Sequence, residues 1–156
     1  MVNIKDVPQD KLVERLANHL KNNVPQVKPP QWAMFVKTGR NKDRPPHNED
    51  WWYYRAAAIM RRLYLNGPVG VSRLRSSFSY RAKMGPRTRS ERTVKAGGAI
   101  IRNILHQLEA AGLVTIVKAP DGKVLGRALT PQGRSLVDKL AAELFRELKV
   151  KLRPLS

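Results

Sequence analysis

The residues of this chain that stand out as candidates for proton or metal chemistry are three histidines and one adjacent carboxylate pair. His19, His47 and His106 lie on three different segments and lack the close spacing of a metal-ligand set. Each reads as a solvated or hydrogen-bonded histidine. Glu49 and Asp50 fall where a helix should begin, and capping and the helix dipole account for them more simply than acid–base catalysis. No glycine loop followed by Lys-Ser/Thr is present to cradle a phosphate, and there is no dinucleotide fingerprint. The chain has no cysteine, which excludes disulfides, thiolate metal sites and thiol catalysis. We therefore expect no enzymatic activity, no catalytic residue, no metal and no cofactor.

The other chemistry on offer is aromatic and cationic. The stretch EDWWYYRAAAIMRRLYL, residues 49–65, runs four aromatics into a series of arginines. On a helix, Trp52, Tyr53, Ala56, Ile59, Met60, Leu63 and Tyr64 share one side. Tyr54, Arg55, Ala58, Arg61, Arg62 and Leu65 fall on the opposite side or the flanks. Trp52, Tyr53 and Tyr64 accordingly read as core, and Trp51 and Tyr54 as the candidates for stacking on bases. The arginines point away from the core.

Charge indicates what they face. Thirty Lys+Arg against twelve Asp+Glu give +18 over 156 residues. A chain so charged repels itself unless an anion neutralises it, so the expected partner is polyanionic. Between Arg73 and Arg102 there are nine basic residues and one acid, Glu91, a net +8 of the total +18. No apolar run approaches the length of a bilayer crossing, and the start, MVNIKDVPQDKLVERL, reads as no secretory signal. A membrane-surface role is the weaker alternative, because the charge is spread through the chain and not concentrated in one amphipathic segment.

The elements that must position these residues can be traced along the chain. A first helix is expected over Pro8–Asn22, capped by Asp6, with Leu12, Val13, Leu16, Ala17 and Leu20 as its apolar stripe. QWAMFVKT suits a short helix, and GRNKDRPPHNED a basic loop. The second long helix should start near Asp50, with Asn48 or Asp50 as cap, and end before Gly67. VGVSRLRSSFSY reads as a short helix or turn. RAKMGPRTRSERTVKAGG shows little periodicity and reads as an irregular functional loop, disordered in the free protein. The third long helix runs to about Ala111, buries Ile100, Ile101, Ile104, Leu105 and Leu108, and stops at Gly112. Two strands around Pro120-Asp121-Gly122 follow. A last helix opens with Thr130 as cap and Pro131 in its first position, and the terminal KLRPLS should fray.

This order predicts a mainly α fold: a winged-helix-like helical domain with a small β-hairpin wing and an N-terminal helical extension. One domain is expected over 1–156, with the helical extension in 1–48 and the winged-helix core in 49–150. The core should bury Trp52, Tyr53, Met60, Ile101, Leu105, Leu108, Leu140 and Leu144. On the exposed side of the third long helix Lys95, Arg102, Asn103, His106 and Gln107 could read bases in a major groove. A winged-helix DNA-binding regulator is therefore the alternative function, and a basic assembly factor that visits its target without staying is a third. Against DNA stand the spread of basic charge and its concentration in an irregular loop, better suited to following folded RNA. The small residues Ala96–Ala99 also leave the start of that helix bare, where a phosphate backbone could approach its amides.

Four blocks in order resemble the small-subunit ribosomal protein S-nineteen-e family of archaea and eukaryotes: IKDVPQDKLVERLANHLK, WWYYRAAAIMRRLYLNGPVGV, AIIRNILHQLEAAGLV and RALTPQGRSLVDKLA. The resemblance spans nearly the whole chain. It implies a non-enzymatic, winged-helix-like protein in the head of the small ribosomal subunit, bound to ribosomal RNA and needed in eukaryotes for subunit maturation. Arg55, Arg61 and Arg102 match basic positions of that family's RNA-facing surface. The expected RNA-binding set is Arg40, Lys42, Arg44, Arg55, Arg61, Arg62, Arg73, Arg75, Arg81, Lys83, Arg87, Arg89, Arg92, Lys95 and Arg102. The expected partners are small-subunit ribosomal RNA and neighbouring small-subunit ribosomal proteins. The protein should be a monomer within the ribosome, in the cytoplasm.

Overall fold

The computed structural model describes residues 2–40, 42–83 and 91–151. The predicted roles of Arg87 and Arg89, and the fraying expected of the C-terminus beyond Lys151, lie outside the described residues. The helices are α1 (Gln9–Asn23), α2 (Trp51–Asn66), α3 (Val71–Ser77), α4 (Gly98–Ala110) and α5 (Pro131–Lys151). Two antiparallel hairpins interrupt them, β1 (Tyr80–Lys83) with β2 (Glu91–Val94), and β3 (Val114–Lys118) with β4 (Val124–Leu129). The fold is mainly α and winged-helix-like, as expected.

Burial follows the apolar stripes. Leu12, Leu16, Ala17 and Leu20 of α1 join Trp52, Ala56, Ile59, Met60 and Leu63 of α2 in one buried cluster with the apolar faces of α4 and α5. Trp52, Met60, Ile101, Leu105, Leu108, Leu140 and Leu144 are buried as predicted. Tyr53 is not: it is only partly buried and packs on the cluster's edge. Its position at the first turn of α2, next to fully buried Trp52, leaves its ring at the rim.

The ends of the helices are built differently from the sequence expectation at one point. Asp6 does not cap α1. Its carboxylate accepts from the Asn3 amide at 2.9 Å, while Asn3 Oδ1 accepts from the Lys5 amide. This reciprocal box closes a one-turn 3-10 helix, Ile4–Asp6, and leaves Pro8 as the entry to α1. At α2 Asn48 Oδ1 accepts from the Asp50 amide at 3.0 Å. Asp50 itself caps nothing and forms an ion pair with Lys21 at 3.0 Å, tying α1 to the start of α2. At α5 Thr130 Oγ1 accepts from the Gly133 amide at 3.1 Å and donates to the Gly112 carbonyl at 2.8 Å. One hydroxyl thus starts α5 and fixes the end of α4, where Gly112 takes the left-handed conformation at φ +77°.

The wing is anchored to the helices by backbone. Val69, in the α2–α3 link, exchanges two hydrogen bonds of 3.0 Å with Arg127 of β4. Gly126 beside it has φ +144°, and a Cβ there would stand 2.6 Å from the Val69 carbonyl carbon, so glycine is required. The Arg127 guanidinium is paired with Glu109 of α4, which fixes the wing against that helix.

The predicted irregular loop is the main correction. Residues 80–83 and 91–94 pair in register, Tyr80 opposite Val94 and Lys83 opposite Glu91. With four residues per strand and mostly polar side chains, they carried no alternating apolar signal. Only 84–90, the connection between the strands, stays outside the described residues.

Candidate nucleic-acid interface

Strand β1, the loop before α2 and one face of α2 border an open cleft of about 590 Å³. Trp51, Tyr54, Phe78 and Tyr80 give it aromatic walls, and Lys42, Arg44 and Arg55 give it cationic ones. Asp43 and His47 also line it. The Arg55 guanidinium lies 4.5 Å from the Phe78 ring centroid, and the Lys42 ammonium 4.1 Å from that of Tyr80. Burial pushes the Arg55 guanidinium below its ordinary pKa, and Tyr80 opposes this by hydrogen bonding and charge. An arginine remains charged through such a shift. Arg55 is therefore partly withdrawn from solvent, clamped on an aromatic ring, and holds the edge of β1.

Next to this cleft, past Ala58, Phe78 and Tyr80, is a smaller notch of about 220 Å³. Arg61, Arg62, Gln9, Ser77 and Ser79 contribute its polar groups. Desolvation, and then the neighbouring charge of Arg62, lower the pKa of Arg61. Its Nε is buried without a hydrogen-bond partner among the described residues. Two adjacent guanidiniums with no carboxylate between them favour an anion from outside.

Several carboxylates are engaged with other cations, although Asp43 lines the cleft itself. Asp50 pairs with Lys21, Glu109 with Arg127, Glu143 and Glu147 with Arg15, and Asp121 with Lys123. Among the described residues, none of Arg55, Arg61, Arg62, Arg73, Arg75 or Arg102 is in an ion pair. The surplus charge therefore faces outward over the elements around α2 and the start of α4.

The remaining predicted residues fall into three groups. Lys42, Arg44 and Arg55 meet at the cleft, and Arg61 and Arg62 at the notch. Arg75 and Arg102 come together over the first turn of α4, where a Cβ on Gly98 would stand 3.0 Å from Arg102 Nη1 and 3.2 Å from Arg75 Cδ. Arg75 also donates from Nε to the Ala96 carbonyl at 2.9 Å, which makes it in part a structural residue. Arg40, Arg73, Arg81 and Lys95 are exposed and scattered around these centres. Lys83 and Arg92 lie on β1 and β2.

At the start of α4 the two amides before the helix are taken, that of Ala96 by the Arg75 carbonyl and that of Gly97 by the Thr38 carbonyl at 3.0 Å, while no side chain caps the helix's first turn. Its outer face offers fewer base readers than expected. Gln107 accepts from the Trp52 indole N–H at 2.8 Å and donates to the Lys28 carbonyl at 2.8 Å. Asn103 donates to the Ala99 carbonyl, and Lys95 precedes the helix. Arg102 and His106 are the exposed members that remain. The sequence reading missed Phe78 and Tyr80 as partners of Arg55. Their only signal was the FSY that follows the basic turn of α3, and it becomes meaningful once β1 folds over α2.

A sequence model of the family described as "Ribosomal protein S19e" matches residues 3–147. The chain belongs to that family. Relatives share it end to end. A protein of Aeropyrum pernix named "Small ribosomal subunit protein eS19" is 50% identical over 155 residues, covering 99% of this chain and 96% of the relative. A Thermoplasma volcanium protein of the same name is 40% identical, over 97% of this chain and 95% of its own length. One from Entamoeba histolytica is 39% identical, over 98% and 93%. The family is thus a ribosomal one in archaea and in a eukaryote alike. Among the described residues, no cluster of His, Asp or Glu could hold a metal ion, and no helix is long and apolar enough to cross a membrane.

Proposed function

We propose that this chain is a structural constituent of the small ribosomal subunit. As one domain it binds ribosomal RNA in the subunit head, contacts neighbouring small-subunit proteins, and supports assembly, maturation and translation. It works as a monomer within cytoplasmic ribosomes and catalyses nothing itself. The observation that carries this reading is the end-to-end similarity to proteins named for the small ribosomal subunit. The unpaired arginines around α2 and α4 supply its chemistry. RNA contact is mainly to phosphate, through Lys42, Arg44, Arg55, Arg61, Arg62, Arg75 and Arg102, with Arg40, Arg73, Arg81, Lys83, Arg87, Arg89, Arg92 and Lys95 adding to the field.

The test is the salt dependence of binding to a transcript of the small-subunit head RNA. Each phosphate contact contributes a logarithmic slope of roughly 0.7–0.9, so a steep slope is expected, together with preference for the transcript over duplex DNA of equal charge. Equal or tighter binding to a palindromic DNA duplex, with dimerisation, would replace this reading with that of a DNA regulator.

A further inference from the structure

Trp51, Tyr54, Arg55, Ala58, Arg61 and Arg62 recur at helical spacing on one face of α2. The first four line the cleft, and the last three the notch. At 1.5 Å per residue the stripe is roughly 16 Å long from Trp51 to Arg62, which suits a short run of nucleotides better than a single contact. Aromatic rings gather at one end and guanidiniums without carboxylate partners at the other. The cleft's volume of about 590 Å³ falls in the roughly 300–1,000 Å³ range of small-molecule sites, though it is open to solvent on one side.

We infer that this face of α2 holds a short unpaired RNA strand, with a base unstacked into the cleft against Trp51 and Tyr54 and a backbone phosphate in the Arg61–Arg62 notch. The inference rests on the RNA-binding reading above and adds which form of RNA is held, and where. A double helix presents its phosphates but keeps its bases stacked inside, so it could use the notch and not the cleft. An unpaired strand uses both: every base has a π-face for the aromatic wall, and its phosphates follow the cations. Lys42 and Arg44, with Asp43 between them, also line the cleft and leave it a net positive charge for the neighbouring phosphates. Phe78 and Tyr80 separate the two compartments and are themselves held by Arg55 and Lys42. The base and the phosphate sites are thus fixed relative to each other before RNA arrives.

The experiment uses the full chain and fluorescence anisotropy at one moderate salt concentration. Four probes are compared: an oligouridylate, a blunt RNA duplex with the same number of phosphates, an oligoglutamate of equal charge, and the head-RNA transcript. Trp51→Leu and Tyr54→Leu remove the π-faces while retaining apolar bulk, and Trp51→Phe restores one. Thermal melting of each variant establishes that it is folded. The expected result is a preference for oligouridylate over duplex and oligoglutamate, lowered roughly tenfold by Trp51→Leu, rescued by Trp51→Phe, and with duplex affinity unchanged. Arg61→Gln should weaken both RNA probes. Equal affinity for oligouridylate and duplex in the native protein, or no effect of either leucine variant, overturns the inference while transcript binding still supports the broader reading. Binding to oligoglutamate as tight as to oligouridylate overturns it too, since the face would then accept any polyanion. Loss of transcript binding in the native protein would sink both.

Discussion

Trp52 divides the aromatic cluster of α2 into packing and recognition, so its replacement is the most informative perturbation of the fold. Its side chain is fully buried. The edges of Trp32 and Trp51 meet it at centroid distances of 5.6 and 5.5 Å. Its indole N–H donates to Gln107, which passes the connection to the Lys28 carbonyl. Trp52→Ala removes this packing and should cost about 3–5 kcal/mol. For a chain of this size that corresponds to a drop in Tm of about 6–20 °C. Gln107→Ala isolates the polar part: it leaves the indole N–H buried without its partner, for about 1–3 kcal/mol. Combined, the two should cost less than their sum, since the bond can be lost only once. Differential scanning calorimetry of the two single variants and the double variant measures all three terms. An unchanged melting temperature in Trp52→Ala, accompanied by loss of RNA binding, would refute this reasoning and make Trp52 a recognition residue.

Three further outcomes are expected. Gly133 lies in the first turn of α5, where a Cβ would stand 2.4 Å from the Leu113 carbonyl oxygen. Gly133→Ala should therefore destabilise by about 1–3 kcal/mol in chemical denaturation, although the same change in an open helix stabilises. The Tyr64 phenol donates to Asp138 at 2.5 Å, and that bond, then burial, raises its pKa above 10.0. The folded state thus holds this proton more tightly, so its contribution is complete below pH 10.0 and is lost as pH rises through the folded pKa. Tyr64→Phe should cost about 1 kcal/mol at neutral pH and flatten the alkaline end of the stability profile. Arg102→Glu should leave the circular dichroism unchanged, since the side chain is exposed. It should weaken binding to head RNA and lower the salt slope by about one phosphate contact, measured by filter binding.

What could be read in the sequence was periodic or capped. The stripes of α1 and α4, that of α2 apart from Tyr53, the turn at Gly122, the stop at Gly112 and the start at Thr130 each depend on residues close in sequence, and these appear as expected. Tyr53 shows the limit of the helical wheel, which assigns a direction but not a depth. The α4 face shows another: Gln107 looked like a base reader because its partners, Trp52 and the Lys28 carbonyl, lie 55 and 79 residues away. The β1–β2 hairpin is the largest omission. Four-residue polar strands carry no period to detect, yet they bring Tyr80 beside Arg55 and so complete the cleft. The resemblance gave the family and composition pointed to a polyanionic partner, whereas the way basic residues gather into cleft, notch and α4 start is a property of the fold.

The most direct test of the account is where the protein resides in the cell. Native lysate is fractionated on sucrose gradients at low and moderately high salt, and every fraction is probed for this chain. The account predicts stoichiometric co-migration with the mature small subunit through the salt wash. Recovery at the top of the gradient, with chromosomal DNA, or only with immature particles would contradict it.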